Sequence, residues 1–291
     1  MAGPARGNKR IYNAVGPPYI GVFMIRIGIA GIPYHAKGEG TEAGIRYLCS
    51  VGLDAMEVQF VRNVYMTPGS APASGSVAKE CGLALSVHAP YYINLTSKKE
   101  ATQEKSKDWI LRSLRIADPL GARIVVFHPA REKEPEVLKR HLVELSESRK
   151  NEKIKALIGL EVTGDEPELG SVDDYLDILR EVPGTDIVID WSHVHARTNG
   201  GLRTRDDYED IFDKLKPVKK NNFHMHFSNV EYKNGREVRH LPLGSQPPFE
   251  PLAQILKERK IDATIICETP LQEDDALKMK AIIEATIAGA H

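Results

Sequence analysis

Imidazoles and carboxylates recur at the ends of short apolar runs in this chain. His88 closes Ser86-Val87-His88, and His128 closes Val125-Val126-Phe127-His128. Glu161 closes Gly159-Leu160-Glu161, and Asp190 closes Ile189-Asp190, with His193 three residues on. His226 follows His224-Met225, and Glu268 stands in Cys267-Glu268-Thr269-Pro270. Taken singly, each has a plain explanation. A histidine in an apolar strand is commonly a hydrogen-bonded core residue, and a buried carboxylate is first suspected of an ion pair. At six successive run ends these explanations would all have to hold together. Ionisable groups gathered in one place are costly unless paired or bound to metal. The donors are imidazole and carboxylate without thiolate, which suits Zn, Mn, Fe or Co better than Mg, Ca or an iron–sulfur cluster. His224 lies on the same side of its strand as His226 but deeper, so we assign it to the core or to the layer behind the ligands. His195 is left open between ligand and loop. His35, His141 and His291 are assigned to the surface.

The elements that must position these groups are legible as a rhythm. Apolar, β-branched runs occupy 25–30, 55–60, 84–89, 123–128, 158–162, 186–190, 223–227 and 264–268. Segments of helical periodicity fall between them, at 43–50, 74–81, 105–120, 136–149, 172–179, 208–215, 249–259 and 275–288. The step of about 30 residues is that of one βα unit. Short continuous apolar strands suit a parallel sheet covered on both faces. Eight such units predict a single α/β domain, a (β/α)8 TIM barrel over residues 25–291. A parallel barrel brings all strand C-termini to one rim, where such enzymes place their active sites. Residues 1–24 carry Gly-Pro-Ala-Arg-Gly and Gly-Pro-Pro and read as an N-terminal loop extension. Met24 directly precedes the first strand and is one reading of the natural start.

Composition excludes several classes. The chain has 291 residues, 42% hydrophobic and 27% charged, with a formal net charge of −1. That is enough apolar material for a large core, and it rules out global disorder. No apolar run approaches membrane-spanning length. The near-zero net charge argues against a histone-like, charge-driven nucleic-acid binder but leaves room for a local basic face. Three cysteines without a CxxC pair give no disulfide framework and fit a reducing, cytoplasmic setting.

Ser86-Val87-His88-Ala89-Pro90-Tyr91-Tyr92-Ile93-Asn94-Leu95 resembles the hallmark of endonuclease IV-type apurinic/apyrimidinic endonucleases. So do Phe127-His128-Pro129, Asp190-x-x-His193, His226-Phe227-Ser228-Asn229 and Glu268-Thr269-Pro270, over roughly residues 24–285 and in the family's order. The resemblance implies a TIM barrel carrying three zinc ions that cuts double-stranded DNA 5′ to an abasic site. It implies that His88 and His128 hold one ion and that Glu161 bridges it to a second. Asp190, His226 and Glu268 would complete the second site, and His193 and His240 would belong to the third. A hydroxide bridging the first two ions would be the nucleophile, with Glu161 the central catalytic residue. Zn is expected, as two or three ions, with Mn as the alternative, in a monomer.

Two departures follow from the same resemblance. The family places an Asp two residues before the His of the third site. Here that position is Val238, and Glu237 stands one residue out of register; it could serve after a backbone shift. The loop Leu243-Gly244-Ser245-Gln246-Pro247-Pro248 lacks the family's second glycine. These departures keep a rival in view. Glu161, Asp190, His226 and Glu268 also match the single-metal site of sugar isomerases and epimerases with this barrel, where two carboxylates shuttle a proton. An epimerase has less need of His88, His128 and His193. A barrel that binds damaged DNA or a partner without catalysis is a third class, and the near-complete ligand set argues against it.

Contacts to DNA would have to come from the loops above the strands. The family's DNA-wedging arginine after the second strand has no clear match in Val61-Arg62-Asn63-Val64-Tyr65, where Arg62 or Tyr65 could substitute. Tyr91 or Tyr92 could stack in the gap at an abasic site. Lys98 and Lys99 follow the third strand, Arg203 and Arg205 the sixth, and Lys233, Arg236 and Arg239 the seventh. Any one of these can be an ordinary solvated charge; together they mark the metal-bearing rim.

Overall fold

The computed structural model describes residues 23–288. In chain order it contains β1 (Ile25–Ala30), α1 (Thr41–Val51), β2 (Ala55–Gln59), α2 (Ala71–Cys81), β3 (Ala84–His88), α3 (Glu100–Leu120) and β4 (Ile124–Phe127). There follow α4 (Pro135–Asn151), β5 (Leu157–Glu161), α5 (Val172–Glu181), β6 (Thr185–Asp190), α6 (Trp191–Arg197), α7 (Arg205–Leu215) and β7 (Asn222–Phe227). The chain continues through β8 (Asn229–Lys233), β9 (Arg236–Leu241), α8 (Glu250–Glu258), β10 (Asp262–Cys267) and α9 (Glu273–Ala288).

Eight parallel strands close into a barrel in the order β1-β2-β3-β4-β5-β6-β7-β10, with β10 paired back to β1. This is the expected (β/α)8 barrel. Strands such as β4 are buried along their whole length, as a sheet covered by helices outside and packed side chains inside requires. Closure demands close backbone approach at Gly28, where a Cβ would lie 2.1 Å from the Ala55 carbonyl oxygen. Register then sets the rim. Asp190 pairs with His226, His226 with Ile266, and His88 with Val126.

Two differences from the expected elements matter. First, β8 and β9 form an antiparallel hairpin that rises after β7 and stands outside the barrel. Its turn is Asn234-Gly235, both with positive φ (53° and 71°), the backbone that a two-residue hairpin turn demands and that Asn-Gly accepts most readily. That dipeptide is the available sequence signal. Second, α6 begins at once after β6, because the Asp190 side chain caps it by accepting from the His193 backbone N–H at 2.9 Å.

His141 corrects an expectation. It is buried rather than exposed, on the inward face of α4 with Leu138, Leu142 and Leu145, and its Nε2 meets Gln103 Oε1 at 3.1 Å. Spacing of i, i+3, i+4 and i+7 puts these four on one stripe. His35 is exposed, as expected, with its Nδ1 2.7 Å from Glu273. The N-terminal extension up to residue 22, and His291, lie outside the described residues.

Candidate metal centre

The C-terminal rim gathers the predicted donors into three contiguous sets. His88, His128 and Glu161 form one, and Glu161, Asp190, His226 and Glu268 a second that shares Glu161. His193, Glu237 and His240 form the third. Five imidazoles run around the mouth in the order His226, His88, His128, His193, His240, with successive ring centroids 5.2–6.2 Å apart. Every metal ligand that the resemblance implies is thus brought together, and so is Glu237.

Glu161 is the hub. One carboxylate oxygen lies 3.0 Å from Nε2 of both His88 and His128, and the other 3.0 Å from Nδ1 of His226. Asp190 divides its labour. Its Oδ1 caps α6 and accepts from the Ser192 hydroxyl, while its Oδ2 is buried without a hydrogen-bond partner and faces the second set. An orphaned carboxylate oxygen is expensive in a protein interior unless a cation is to be met there.

Three of the imidazoles are aimed in the same way. The Nδ1 of His88 donates to the Ala89 carbonyl at 2.8 Å, that of His193 to Val162 at 2.8 Å, and that of His240 to Glu268 at 2.9 Å. Each bond assigns a proton to Nδ1, so Nε2 is the nitrogen that faces the carboxylates of the centre and that a metal ion would meet after losing its own proton. Metal-ligating histidines are commonly oriented this way.

The third set answers the register question posed by Val238. In a regular strand, residues i and i+2 share a face, so Glu237 and His240 would point apart. The hairpin ladder pairs Glu231 with Arg239 and Tyr232 with Glu237, so Val238 is an unpaired extra residue. This β-bulge restores a common face to Glu237 and His240. Glu237 Oε2 lies 2.7 Å from Nε2 of His193, and its Oε1 lies 3.0 Å from Nε2 of His240. Gly164 leaves room for this contact, since a Cβ there would sit 2.9 Å from His193 and 3.2 Å from Glu237.

Electrostatics follow the geometry. Burial alone would push the Glu161 carboxyl up, but His128 and His226 outweigh it and hold it well below the usual range. Burial opposes protonation of His226, yet Glu57, Glu268 and Glu161 push its pKa well above the ordinary value. His88 and His240 are likewise raised to about 9 against burial, chiefly by Glu161 and Glu237 respectively. Glu268 is raised by burial and by the neighbouring Asp190 and Glu161 carboxylates.

Beside the centre lies a cavity of about 360 Å³ lined by Tyr91, His128, Arg131, Asp165, Glu168 and Glu237 among others. It opens to solvent over His128, whose side chain is 43% exposed. Arg131 is its one Lys or Arg, a residue that its place in the sequence does not single out. The loop residues divide. Arg62 stands near Tyr91, whose hydroxyl lies 3.0 Å from that of Tyr92, and all are exposed at the rim with Tyr65, Lys98 and Lys99. Lys233 and Arg236 are exposed at the hairpin tip. Arg239 pairs with Glu231 across the hairpin, and Arg203 donates to the Gly200 carbonyl. Arg205 is committed elsewhere, to Glu209 and both carboxylate oxygens of Glu258, in the contact of α7 with α8. His195 is buried, with Nδ1 accepting from the Leu202 backbone N–H, and stands apart from the donor sets.

Sequence reasoning also misses Glu57. It lies in the middle of β2, fully buried, and forms a further set with His224 and His226. A glutamate between Met56 and Val58 in an apolar run is the available signal.

Comparison with known proteins adds the following. The model of the xylose isomerase-like TIM barrel matches residues 45–286. An uncharacterized protein of Methanocaldococcus jannaschii is 30% identical over 265 residues, covering 87% of this chain and 95% of that protein. Endonuclease IV from Thermus thermophilus superposes with a TM-score of 0.74 at 21% identity, covering 91% of this chain and 100% of its own. A D-tagatose 3-epimerase-like protein superposes with a TM-score of 0.68 at 20% identity, covering 90% and 97%. At such identities these two structures speak to the fold. Among the described residues, no helix is long and apolar enough to cross a membrane.

Proposed function

Because the chain belongs to the xylose isomerase-like TIM barrel family, a family of enzymes, we propose that it is a metal-dependent DNA repair endonuclease. Its reaction is hydrolysis of the phosphodiester 5′ to an apurinic/apyrimidinic site in double-stranded DNA. The observation that carries this reading is the continuity of the three donor sets through Glu161 and around the imidazole chain. An isomerase with one ion uses four donors; this rim assembles nine.

His88, His128 and Glu161 would hold one ion, Glu161, Asp190, His226 and Glu268 a second, and His193, Glu237 and His240 a third. The donor chemistry fits Zn, with Mn as the alternative. Bound divalent ions supply charge neutralisation at the phosphate and lower the pKa of a bound water toward about 7. The protein's own residues do the rest. Backbone carbonyls fix the rings of His88, His193 and His240, so the donors need no reorganisation. Arg131 reaches the cavity as a phosphate contact, and Tyr91 and Tyr92 present rings to the gap left by a missing base. An abasic nucleotide lacks stacking and pairing, so extruding it toward the rim costs less than flipping an intact one. Asp165, Glu168 and Glu237 make the cavity acidic, so tight DNA binding itself depends on the ions.

A second reading has one specific observation in its favour. Glu161, Asp190, His226 and Glu268 make a complete four-donor site, enough for a single-metal sugar isomerase or epimerase. One experiment separates the two. Metal-stripped protein is supplied with Zn or Mn and given a labelled duplex carrying one abasic-site analogue. Incision on the 5′ side, with an undamaged duplex left intact and more than one ion bound per chain, is the expected result. A folded protein that binds one ion per chain and leaves the duplex whole is the isomerase outcome.

A further inference from the structure

His226 departs from the pattern of the other imidazoles. It turns Nδ1, not Nε2, toward the second donor set, with Glu161 at 3.0 Å and Glu268 at 3.6 Å. Its Nε2 is met by no backbone carbonyl. What meets it is Glu57 Oε1, at 3.1 Å. Both atoms are buried and neither has another hydrogen-bond partner. Two such orphans facing each other within reach are best reconciled by one bond between them, which a small turn of the imidazole would align.

Glu57 is itself held from behind. Its Oε2 accepts from the Ser86 hydroxyl at 2.8 Å and from His224 Nε2 at 3.0 Å. Ser86 is the register partner of Glu57 on β3, and His224 lies one pleat below His226 on β7. Residues from two other strands, β3 and β7, thus clamp the Glu57 carboxylate of β2 beside a donor of the rim. A buried carboxylate with so much investment around it needs a partner that carries a proton.

We propose that Glu57 is a positioning residue for the metal centre, fixing the tautomer and ring plane of His226 through its Nε2–H, with Ser86 and His224 holding Glu57 in place. When Nδ1 of His226 serves as a ligand, the ring proton must reside on Nε2, and Glu57 is the acceptor that keeps it there. Removing a carboxylate partner of this kind typically lowers metal affinity by roughly tenfold to a hundredfold. The inference rests on the metal-centre reading above.

The test uses the full chain loaded with Zn or Co(II). In the wild-type protein, nitrogen-resolved NMR of the histidine side chains should find the His226 proton on Nε2, in a strong hydrogen bond. The Nδ1–H tautomer in loaded protein overturns the proposal without any variant. Glu57→Gln should lower the affinity for one ion about tenfold to a hundredfold in chelator competition and alter the visible spectrum of Co(II) at that site. The number of ions bound at saturation should not change, and Glu57→Asp should recover part of the loss. Wild-type affinity and spectrum in Glu57→Gln would refute a positioning role. Loss of one whole ion would also refute it, because Glu57 would then be a ligand. If Glu57→Gln does not fold, Ser86→Ala and His224→Gln give the same readout with a smaller shift. A wild-type protein that binds no ion at all would sink the metal-centre reading, an outcome distinct from any failure of Glu57.

Discussion

The second and third donor sets are built on different principles. Asp190 and His226 are wholly buried, on adjacent barrel strands locked in register. Glu237 and His240 are 24% and 23% exposed and sit on a hairpin outside the barrel, brought to a common face by a bulge. The barrel set inherits its geometry from strand closure, which tolerates no one-residue slip. The hairpin set tolerates the slip, because an unpaired residue absorbs it. One protein therefore shows a ligand spacing that the fold dictates and another that local backbone can renegotiate.

A set of variants and a titration test that contrast. The largest effect is expected at the hub. Glu161→Gln should cost at least about a thousandfold in turnover and remove ions from the first two sets, while circular dichroism stays native. Turnover at the wild-type level would dismantle the assignment. Next, Glu237→Ala should release one ion, the weakest held, and slow incision by roughly tenfold to a hundredfold. Deleting Val238 should spare that ion, because a regular strand also places Glu237 and His240 on one face once they are two residues apart. If the deletion loses the ion, the bulge does more than restore register.

The pH dependence of stability distinguishes metal-free from loaded protein. Without ions, His88 and His240 are raised from 6.5 to about 9 against burial, by Glu161 and Glu237 respectively. A raised folded pKa stabilises fully below the unfolded value, and the contribution is lost as pH climbs through about 9. Glu237 has the opposite sign. Burial favours its neutral form, but His193 and His240 lower it from 4.5, so its contribution is present above 4.5 and fades as pH falls. The metal-free midpoint of thermal unfolding should therefore decline from about pH 6 toward about pH 9. Ions compete with protons for the same imidazoles, so the rise in midpoint on adding Zn should grow over that interval. Calorimetry at a series of pH values checks both slopes, and parallel curves would contradict the shared-site picture. The smallest effect is expected at Arg205, whose charge is already spent on Glu209 and Glu258. Arg205→Ala should leave abasic-DNA affinity and its salt slope unchanged, whereas Arg131→Ala should weaken binding and flatten that slope by about one.

Much of this site is legible in the order of residues along the chain. Five of its nine donors sit at a strand end or one residue beyond, and His226 is the penultimate residue of β7. In a parallel barrel all such ends reach one rim, so a one-dimensional pattern predicts a three-dimensional cluster. Glu237 is legible as a candidate but not as a neighbour, because strand alternation argues against it. Glu57 is not legible as part of the centre. Its partners Ser86 and His224 lie 29 and 167 residues away, and His226 is two residues beyond His224. Arg205 fails in the other direction, since its place in sequence suggests the rim and its side chain turns to Glu258.

The sequence by itself determined the eight βα units, the donor types and the rim on which they meet, because hydrophobic periodicity and strand direction are local properties that add along the chain. The tertiary structure alone decided which nitrogen of each imidazole faces inward, which carboxylate stands behind His226, and which arginines are already paired. Those outcomes depend on closure of the barrel and on the bulge in the hairpin. Both bring distant residues within hydrogen-bond reach, and hydrogen-bond geometry is decided at tenths of an ångström that residue spacing does not encode.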